Sequence, residues 1–314
     1  MKTAIDLLEV QRAVRSYLPD RAPMTITPIS RGRFNDAFFV TGQNIEWVIR
    51  IAPRRDTVFA FYERDMMRQE PGIHARLLAN TSVPVPKIIA YDDSLEQIDR
   101  DFIVMERLPG NPMVDVSVDE NVVLRQVGEF LGQTHALTAD TYGYIGEHHP
   151  MEPQSRWADA FHIMWNRLIG GIVDVGHYDE DESTQFRGLL DQHISLFDRN
   201  VPSSLLHVDA AADNILVDDN NNVTGLIDWE RSLYGDPEIE YALLDSWGVS
   251  RPAFWKGYGK EPEPSPESQI RQAFYLLYNT QKHIIIQQGR NNSPAGARTI
   301  KQQVLEMVAS SEIG

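Results

Sequence analysis

Cysteine is absent from this chain of 314 residues, which excludes disulfide bonds, thiolate zinc sites and a cysteine nucleophile. The chain also lacks any unbroken run of the roughly 18 apolar residues that a membrane-spanning helix requires. Asp6 and Glu9 lie in the N-terminal stretch, where a secretory signal would be continuously apolar. These absences predict a cytoplasmic protein without a membrane partner.

The chain has fewer basic than acidic residues, 29 against 45. The net charge is −16, whereas a surface that binds nucleic acid is basic, so we predict no nucleic-acid partner. Acidic and basic residues balance within 1–105, and the whole surplus of negative charge therefore falls in 106–314. An acidic C-terminal part would attract a cationic small molecule. Acidic surfaces also keep proteins in solution, and both interpretations stay open.

Motifs of several common classes of site are missing as well. Neither GxxxxGK[ST] nor GxSxG occurs, which disfavours P-loop enzymes and serine hydrolases. The run DDNNN at 218–222 begins like a calcium-binding loop, but Val223 replaces the required glycine and Trp229 the bidentate glutamate. We predict a hairpin loop at this position.

The N-terminal third has the pattern of a sheet with one embedded helix. A first helix is predicted over 5–18, and a second, the embedded one, over 59–79 from the spacing of apolar residues. Prolines favour an extended conformation for SVPVPKIIAY. The runs typical of strands are MTITPIS, DAFFVTG, IEWVIRI and FIVMERLPG, the last ending in a Pro-Gly break near residue 110.

Beyond that break the pattern becomes helical. Apolar and aromatic residues recur at helical spacing over 119–137, 156–172 and 267–288, and we interpret their aromatic stripes as core. Two apolar strands joined by a polar loop are predicted in NILVDDNNNVTGLIDW. The pattern as a whole indicates the α+β class.

The segment LLHVDAAADNILVDDNNNVTGLIDWE, residues 205–230, carries the most informative chemistry. It places Asn214 five residues after Asp209 in an H-x-D-(x)4-N arrangement, and a predicted hairpin then delivers Asp228. Phosphoryl transfer requires a carboxylate near the attacking hydroxyl and oxygen ligands for Mg²⁺. This spacing matches the catalytic loop of kinases, with Asp228 in the place of the metal-binding aspartate of D-F-G. We therefore predict Asp209 as the base, and Asn214 and Asp228 as Mg²⁺ ligands.

These motifs resemble those of the aminoglycoside phosphotransferase-like family of small-molecule kinases. The resemblance implies a two-lobed, protein-kinase-like fold with an N-terminal antiparallel sheet, one key helix and a mostly helical C-terminal lobe. It further implies a nucleotide-binding lobe over 1–105, a hinge over 106–112, and a lobe with the catalytic loop and the acceptor site over 113–314. The donor would be ATP or GTP, and the acceptor a hydroxyl of a small, cationic molecule such as an aminoglycoside or aminocyclitol antibiotic.

The resemblance also assigns residues to the nucleotide. Arg50 stands where kinases carry a lysine on the third strand, with Glu70 as its ion-pair partner. Ser30 and Gly32 belong to the loop that covers the phosphates. Backbone groups of Glu106 to Leu108 would meet the purine.

The chain departs from the family's pattern beside the catalytic aspartate. Val208 stands where the family usually has glycine, and Glu240 where aspartate is commoner. Asp236 is the residue that the resemblance assigns to supporting the catalytic loop. The stretch YGYIG at 142–146, together with Trp157 and Arg50, is similar to the hygromycin B phosphotransferases.

Other functions stay open at this stage. The acceptor could instead be choline, homoserine or a sugar, and a weakly active, nucleotide-binding pseudokinase or a metal hydrolase using His207 and Asp209 is also conceivable. A protein kinase is disfavoured, because a helix is expected about ten residues after Asp228, which leaves no segment for a peptide. The oligomeric state, monomer or homodimer, is not determined by the sequence.

Overall fold

The structure is a computed structural model that describes residues 5–18, 23–32, 34–311 and 313. Its helices are α1 (Leu7–Arg15), α2 (Glu70–Asn80), α3 (Glu120–His135), α4 (Trp157–Asp174), α5 (Glu180–His193), α6 (Glu238–Ser246), α7 (Pro252–Tyr258), α8 (Pro266–Ile285) and α9 (Pro294–Ser310). Its strands are β1 (Met24–Ile29), β2 (Asp36–Gly42), β3 (Ile45–Ile51), β4 (Ile88–Asp92), β5 (Phe102–Glu106), β6 (Asn111–Pro112), β7 (Thr138–Ala139), β8 (Ser203–Leu206), β9 (Ile215–Val217), β10 (Val223–Leu226) and β11 (Leu233–Gly235).

The N-terminal sheet is antiparallel, with the strand order β1-β2-β3-β5-β4. Apolar residues alternate along its strands, and α1 covers one face with a short buried stripe of Val10, Ala13 and Val14. In β3, the strand at the centre of the sheet, Arg50 is paired with Ala37 on one side and Ile103 on the other. The sheet therefore holds this arginine in a fixed position.

The predicted helix over 59–79 is wrong in its first half. Residues 61–65 form turns, a short 3-10 helix covers Met66–Gln69, and α2 starts only at Glu70. Asp65 has a left-handed backbone (φ 57°), which an α-helix does not accommodate. Pro71 fits only in the first turn of a helix, because it lacks the N–H that later turns need. Glu70 thus comes to lie at the N-terminus of α2.

The C-terminal part is mostly helical, as predicted, and its aromatic stripes form the core. α4 and α8 contribute Trp157, Phe161 and Phe274, all fully buried, with the Trp157 and Phe161 ring centroids 5.8 Å apart. α6 begins at Glu238, ten residues after Asp228, as expected. Among the helices in the described ranges, none combines the length and apolarity that crossing a bilayer would need.

Helix α8 ends differently from the helix predicted over 267–288. It is α-helical to Ile285 and continues as a π-helical turn over Ile286–Arg290. A π turn accommodates one residue more than an α turn, which changes the direction of the side chains that follow. There are two small sheets, β6-β9-β10 and β7-β8-β11. The segment between 207 and 231 contains β9 and β10, and β8 and β11 flank it in sequence.

Candidate active site

The three predicted catalytic and metal-binding residues lie in one hydrogen-bonded loop system. The Asn214 side chain donates from Nδ2 to the carbonyl of Asp209 (2.8 Å). The hairpin β9–β10 returns the chain, so that the Ile227 N–H donates to the carbonyl of Asn214 (3.0 Å) one residue before Asp228. The structure therefore brings Asp209, Asn214 and Asp228 together from positions 19 residues apart along the chain.

His207 supports this loop from inside the protein. It is fully buried, its Nε2 lies 2.9 Å from the carbonyl of Ile227, and its ring centroid is 4.3 Å from that of Trp229. Its Nδ1 accepts the N–H of Asp209 at 3.2 Å. Both ring nitrogens contact backbone groups of the loop. His207 therefore has a structural role here and is not a metal ligand.

Glu240, and not Asp236, is the acidic residue that supports the catalytic loop. The buried carboxylate of Glu240 accepts the N–H groups of Val208 (2.8 Å) and His207 (3.2 Å). Burial raises its pKa, but the hydrogen bond with His135 (2.7 Å), the nearby His207 and the Val208 N–H together outweigh burial, so the pKa of Glu240 is lowered. Asp236 instead pairs with Arg199, 3.1 Å away. The longer side chain of glutamate is what lets α6 reach the loop.

Val208 has a strained backbone beside the catalytic aspartate. Its φ is 54°, in the left-handed region that β-branched residues rarely adopt. The family's usual residue here, glycine, adopts this conformation without steric cost. The Glu240 hydrogen bond to the Val208 N–H and the burial of the valine side chain hold the strained conformation in place.

Arg50 connects the two parts of the chain through three carboxylates. It forms the predicted pair with Glu70 (2.7 and 2.9 Å) and also contacts Asp228 (2.8 Å) and Glu230 (2.9 Å). Burial alone would raise the pKa of Glu70, but Arg50 and His74 together outweigh it and hold that pKa at about 2. Strand β3, helix α2 and the segment that follows β10 thus meet at one guanidinium.

Glu230, two residues after Asp228, is a buried carboxylate. Its carboxylate is buried between Arg50 and the Asn35 amide, which donates to it at 2.8 Å. Its backbone carbonyl accepts from Gln69 Nε2 at 2.5 Å. Burial raises the pKa of Glu230 to about 8, against the opposing effect of Arg50. No pattern in the sequence distinguishes this buried glutamate from an exposed one.

The predicted phosphate-covering loop follows β1. Ser30 and Gly32 flank Arg31, which forms ion pairs with Asp213 in the catalytic loop (2.8 Å) and with Asp115. This loop therefore reaches across from the sheet to the C-terminal part.

The predicted hinge follows the last residue of β5. The Glu106 N–H already donates to the carbonyl of Lys87 (3.0 Å), and the Arg107 N–H to that of Glu46 (2.9 Å). Of the backbone groups of Glu106, only the carbonyl is therefore available to a purine. Leu108 lies against Gly225 of the catalytic hairpin.

The oxygen-bearing side chains suit Mg²⁺ bound jointly by protein and nucleotide. Because Asn214 uses its amide N–H₂ on the Asp209 carbonyl, its amide oxygen points away from that bond. The Asp228 side chain is 34% exposed although it contacts Arg50. Within the described ranges no cluster of three or more acidic or histidine side chains could hold a metal alone. One carboxylate and one amide fit an ion that takes its remaining ligands from phosphates and water.

A group of cations beside Asp209 had no signal in the sequence. Arg231 contacts the Asp209 carboxylate (3.2 Å) and lies 4.0 Å from the buried carboxylate of Glu63. Arg290, at the end of the π turn, pairs with Glu63 at 2.7 Å, and Lys282 of α8 lines the cavity next to Arg231. These residues are far apart in sequence, so only the fold shows that they surround the catalytic carboxylate.

Comparison with known proteins identifies what this arrangement belongs to. The family model described as "Phosphotransferase enzyme family" matches residues 25–267. Hygromycin-B 4-O-kinase of Escherichia coli is 25% identical over 181 residues, which are 55% of this chain and 50% of that protein. Acyl-CoA dehydrogenase family member 11 of Rattus norvegicus is 24% identical over 261 residues, 76% of this chain and 31% of that protein. The chain thus spans half or less of the length of these curated relatives.

Solved structures show the same fold at low sequence identity. The GDP and kanamycin complex of APH(2")-IIia has a TM-score of 0.68 and 16% identity, with 98% of this chain and 100% of that chain covered. A thermostable mutant of aminoglycoside phosphotransferase APH(4)-Ia, in a ternary complex with AMP-PNP and hygromycin B, has a TM-score of 0.60 and 19% identity, with 92% and 96% covered. The predicted protein-kinase-like α+β fold is confirmed.

Proposed function

The chain belongs to the phosphotransferase enzyme family, and from this premise we propose that it transfers the γ-phosphate of ATP or GTP to a hydroxyl of a small molecule. Family and fold establish a small-molecule kinase at the coarser level. The donor, the metal, the acceptor and the role of each residue are parts of the proposal. The observation that carries it is the convergence of Asp209, Asn214 and Asp228 beside Arg50.

Asp209 is the residue proposed to receive the proton. The acceptor's hydroxyl oxygen forms a bond to the γ-phosphorus, and the bond from that phosphorus to the β–γ bridging oxygen breaks. The hydroxyl proton passes to the Asp209 carboxylate, and the products are a nucleoside diphosphate and a phosphate monoester. Arg231, 3.2 Å from Asp209, orients the carboxylate for this step.

The nucleotide would lie between the N-terminal sheet and the catalytic loop. Arg50, fixed by Glu70, is proposed to bind the α- and β-phosphates, because a guanidinium can hold two phosphate oxygens at once. Ser30 and Gly32 would cover the phosphates, and the hinge over 106–112 would contact the purine. Asn214 and Asp228 would hold Mg²⁺, which neutralises charge on the phosphates when bound.

Two hypotheses describe the acceptor. An aminocyclitol or aminoglycoside antibiotic is supported by the similarity to hygromycin-B 4-O-kinase, and its modification would make the protein a resistance enzyme. The acidic surplus after residue 105 also supports a cationic acceptor. Three cations near Asp209, namely Arg231, Lys282 and Arg290, support an acceptor of the opposite charge. The alternative acceptors, choline, homoserine and a sugar, also differ from one another in charge.

The test of the proposed function is acceptor-dependent release of ADP or GDP in a coupled assay. Asp209→Asn should lower turnover by roughly 10²–10⁴, the usual contribution of a positioned acid–base group, while nucleotide binding persists. Asp219→Asn, in the exposed hairpin loop, is the matched control for loss of one carboxylate. Near-normal turnover in Asp209→Asn would refute the assignment. Nucleotide binding without turnover in the unmodified enzyme would indicate a pseudokinase, and turnover without nucleotide a hydrolase.

A further inference from the structure

Lys282 is a buried cation without a partner. It lies in α8 and is only 6% exposed. No residue in the described ranges forms a hydrogen bond or an ion pair with its ammonium group. Together with Arg231 and Tyr144 it lines a cavity that borders Val208, the neighbour of the catalytic Asp209. An ammonium group that is buried without a counter-ion carries a large desolvation cost, which a ligand's negative charge would offset.

The other charged groups that face Lys282 already neutralise one another. Arg231 pairs with Asp209, and Arg290 pairs with Glu63, so two guanidinium groups are balanced by two carboxylates. Lys282 is the remaining positive charge in this group. A single negative charge on a ligand would complete the balance, whereas a cationic ligand would add to the excess.

A second unpartnered group lies on the same cavity. The Oδ1 atom of Asn279 is buried and has no hydrogen-bond donor within the described part of the chain. A buried carbonyl oxygen of this kind requires an N–H or O–H donor. The cavity is small, about 20 Å³, so only the charged end of a ligand fits into it. Lys282 and Asn279 together therefore call for a ligand end that carries a negative charge and, close to it, a hydroxyl or amino group.

We propose that the acceptor is a hydroxy acid whose carboxylate binds the Lys282 ammonium and whose hydroxyl is presented to Asp209. The proposal rests on the proposed kinase function and specifies its acceptor class. A carboxylate matches the single uncompensated charge, and a hydroxy or amino substituent would donate to Asn279 Oδ1.

The pKa of Lys282 agrees with this assignment. Burial, together with the neighbouring Arg231, lowers the pKa of Lys282 to about 8, and Asp209 and Glu63 only partly oppose this effect. A carboxylate bound against the ammonium would favour the charged form and raise this pKa again.

The test compares matched acceptors that differ in one carboxylate: glycerate with glycerol, gluconate with glucitol, and homoserine with 3-aminopropanol, beside hygromycin B and kanamycin. Release of ADP or GDP gives kcat and KM, and the thermal midpoint is measured with each compound in the presence of Mg²⁺ and AMP-PNP. Lys282→Met keeps the length of the side chain and removes its charge. Lys256→Met makes the same change on the exposed surface of α7 and is the control.

We expect the acid of at least one pair to have the higher kcat/KM and to raise the thermal midpoint. Lys282→Met should raise KM for that acid about 10- to 100-fold, as for loss of a charge-assisted hydrogen bond, and should leave the nucleotide KM unchanged. The inference is overturned if turnover depends on Asp209 but shows no preference for an acid, or if Lys282→Met does not remove such a preference. In both cases the proposed function stands. Without turnover of any acceptor, the proposed function fails. The thermal midpoint then decides the inference, which is overturned if the acids raise the midpoint of neither the unmodified protein nor Lys282→Met.

Discussion

Removing the charge of Lys282 should make the ligand-free protein more stable. Burial lowers the pKa of this lysine from the ordinary 10.5 to about 8. At about 1.4 kcal/mol per pH unit, the ammonium form therefore costs the folded state on the order of 3 kcal/mol at neutral pH. Methionine occupies a similar volume without charge, so Lys282→Met should increase the free energy of unfolding by about 1–3 kcal/mol, after some loss of fit in the cavity.

The pH dependence of this gain gives a sharper criterion than its size. Between pH 8 and 10.5 the unfolded chain keeps the proton of Lys282 and the folded chain releases it. The unmodified protein therefore gains stability as pH rises through this window, and its difference from Lys282→Met should shrink. Urea unfolding at pH 7, 9 and 10.5, followed by tryptophan fluorescence, measures both quantities.

Lys256→Met again serves as the control and should change the free energy of unfolding by no more than about 0.5 kcal/mol. A loss of 1 kcal/mol or more in Lys282→Met at pH 7 would refute the reasoning, because it would mean that the ammonium has a stabilising partner. A difference that stays constant from pH 7 to 10.5 would equally contradict it.

Three further changes test the catalytic loop and its supports. Asp228→Ala should abolish Mg²⁺-supported transfer, and calorimetric titration with Mg·ATP should show severely weakened binding; unchanged metal-dependent binding would make the hairpin aspartate purely structural. Glu240→Gln should lower the free energy of unfolding by about 2–4 kcal/mol, since an amide cannot replace a carboxylate that accepts several N–H groups, and an unchanged denaturation midpoint would argue against this support. Val208→Gly should change stability by less than about 1.5 kcal/mol, because relief of the left-handed backbone offsets the lost side chain; Val217→Gly, in β9, should cost clearly more in the same unfolding assay.

The fold and the reacting centre could be predicted because their signals are local. The spacing of Asp209 and Asn214 and the hairpin that leads to Asp228 lie within one segment of sequence, and the structure brings the three together. The Arg50–Glu70 pair was predicted from the resemblance to small-molecule kinases, and the structure shows it although the helix was predicted to start too early. Their roles in catalysis and metal binding stay predictions until they are measured.

The group of cations beside Asp209 could not be predicted, because its residues meet only in three dimensions. Lys282 lies 73 residues after Asp209, and its apolar neighbours in α8 mark the helix as core. The formal charge summed over residues 106–314 favours a cationic acceptor, but such a sum does not separate exposed carboxylates from buried cations. Glu240 replaced Asp236 as the support of the loop for a similar reason: only the direction of α6 shows which carboxylate reaches the backbone.

The π-helical turn at Ile286–Arg290 offers a place where a one-residue deletion is sterically permitted. Removing Gly289, whose α-carbon lies close to the Val58 side chain, would let α8 continue as an ordinary helix. Because a π turn holds one residue more than an α turn, Arg290 would keep nearly its present direction, with its ion pair to Glu63 and its position over the Phe34 ring at 4.4 Å. A single-codon deletion at this turn would therefore shorten the chain by one residue and keep the Arg290–Glu63 ion pair. The turn is thus a place where the length of the chain can vary without loss of the ion pairs beside Asp209.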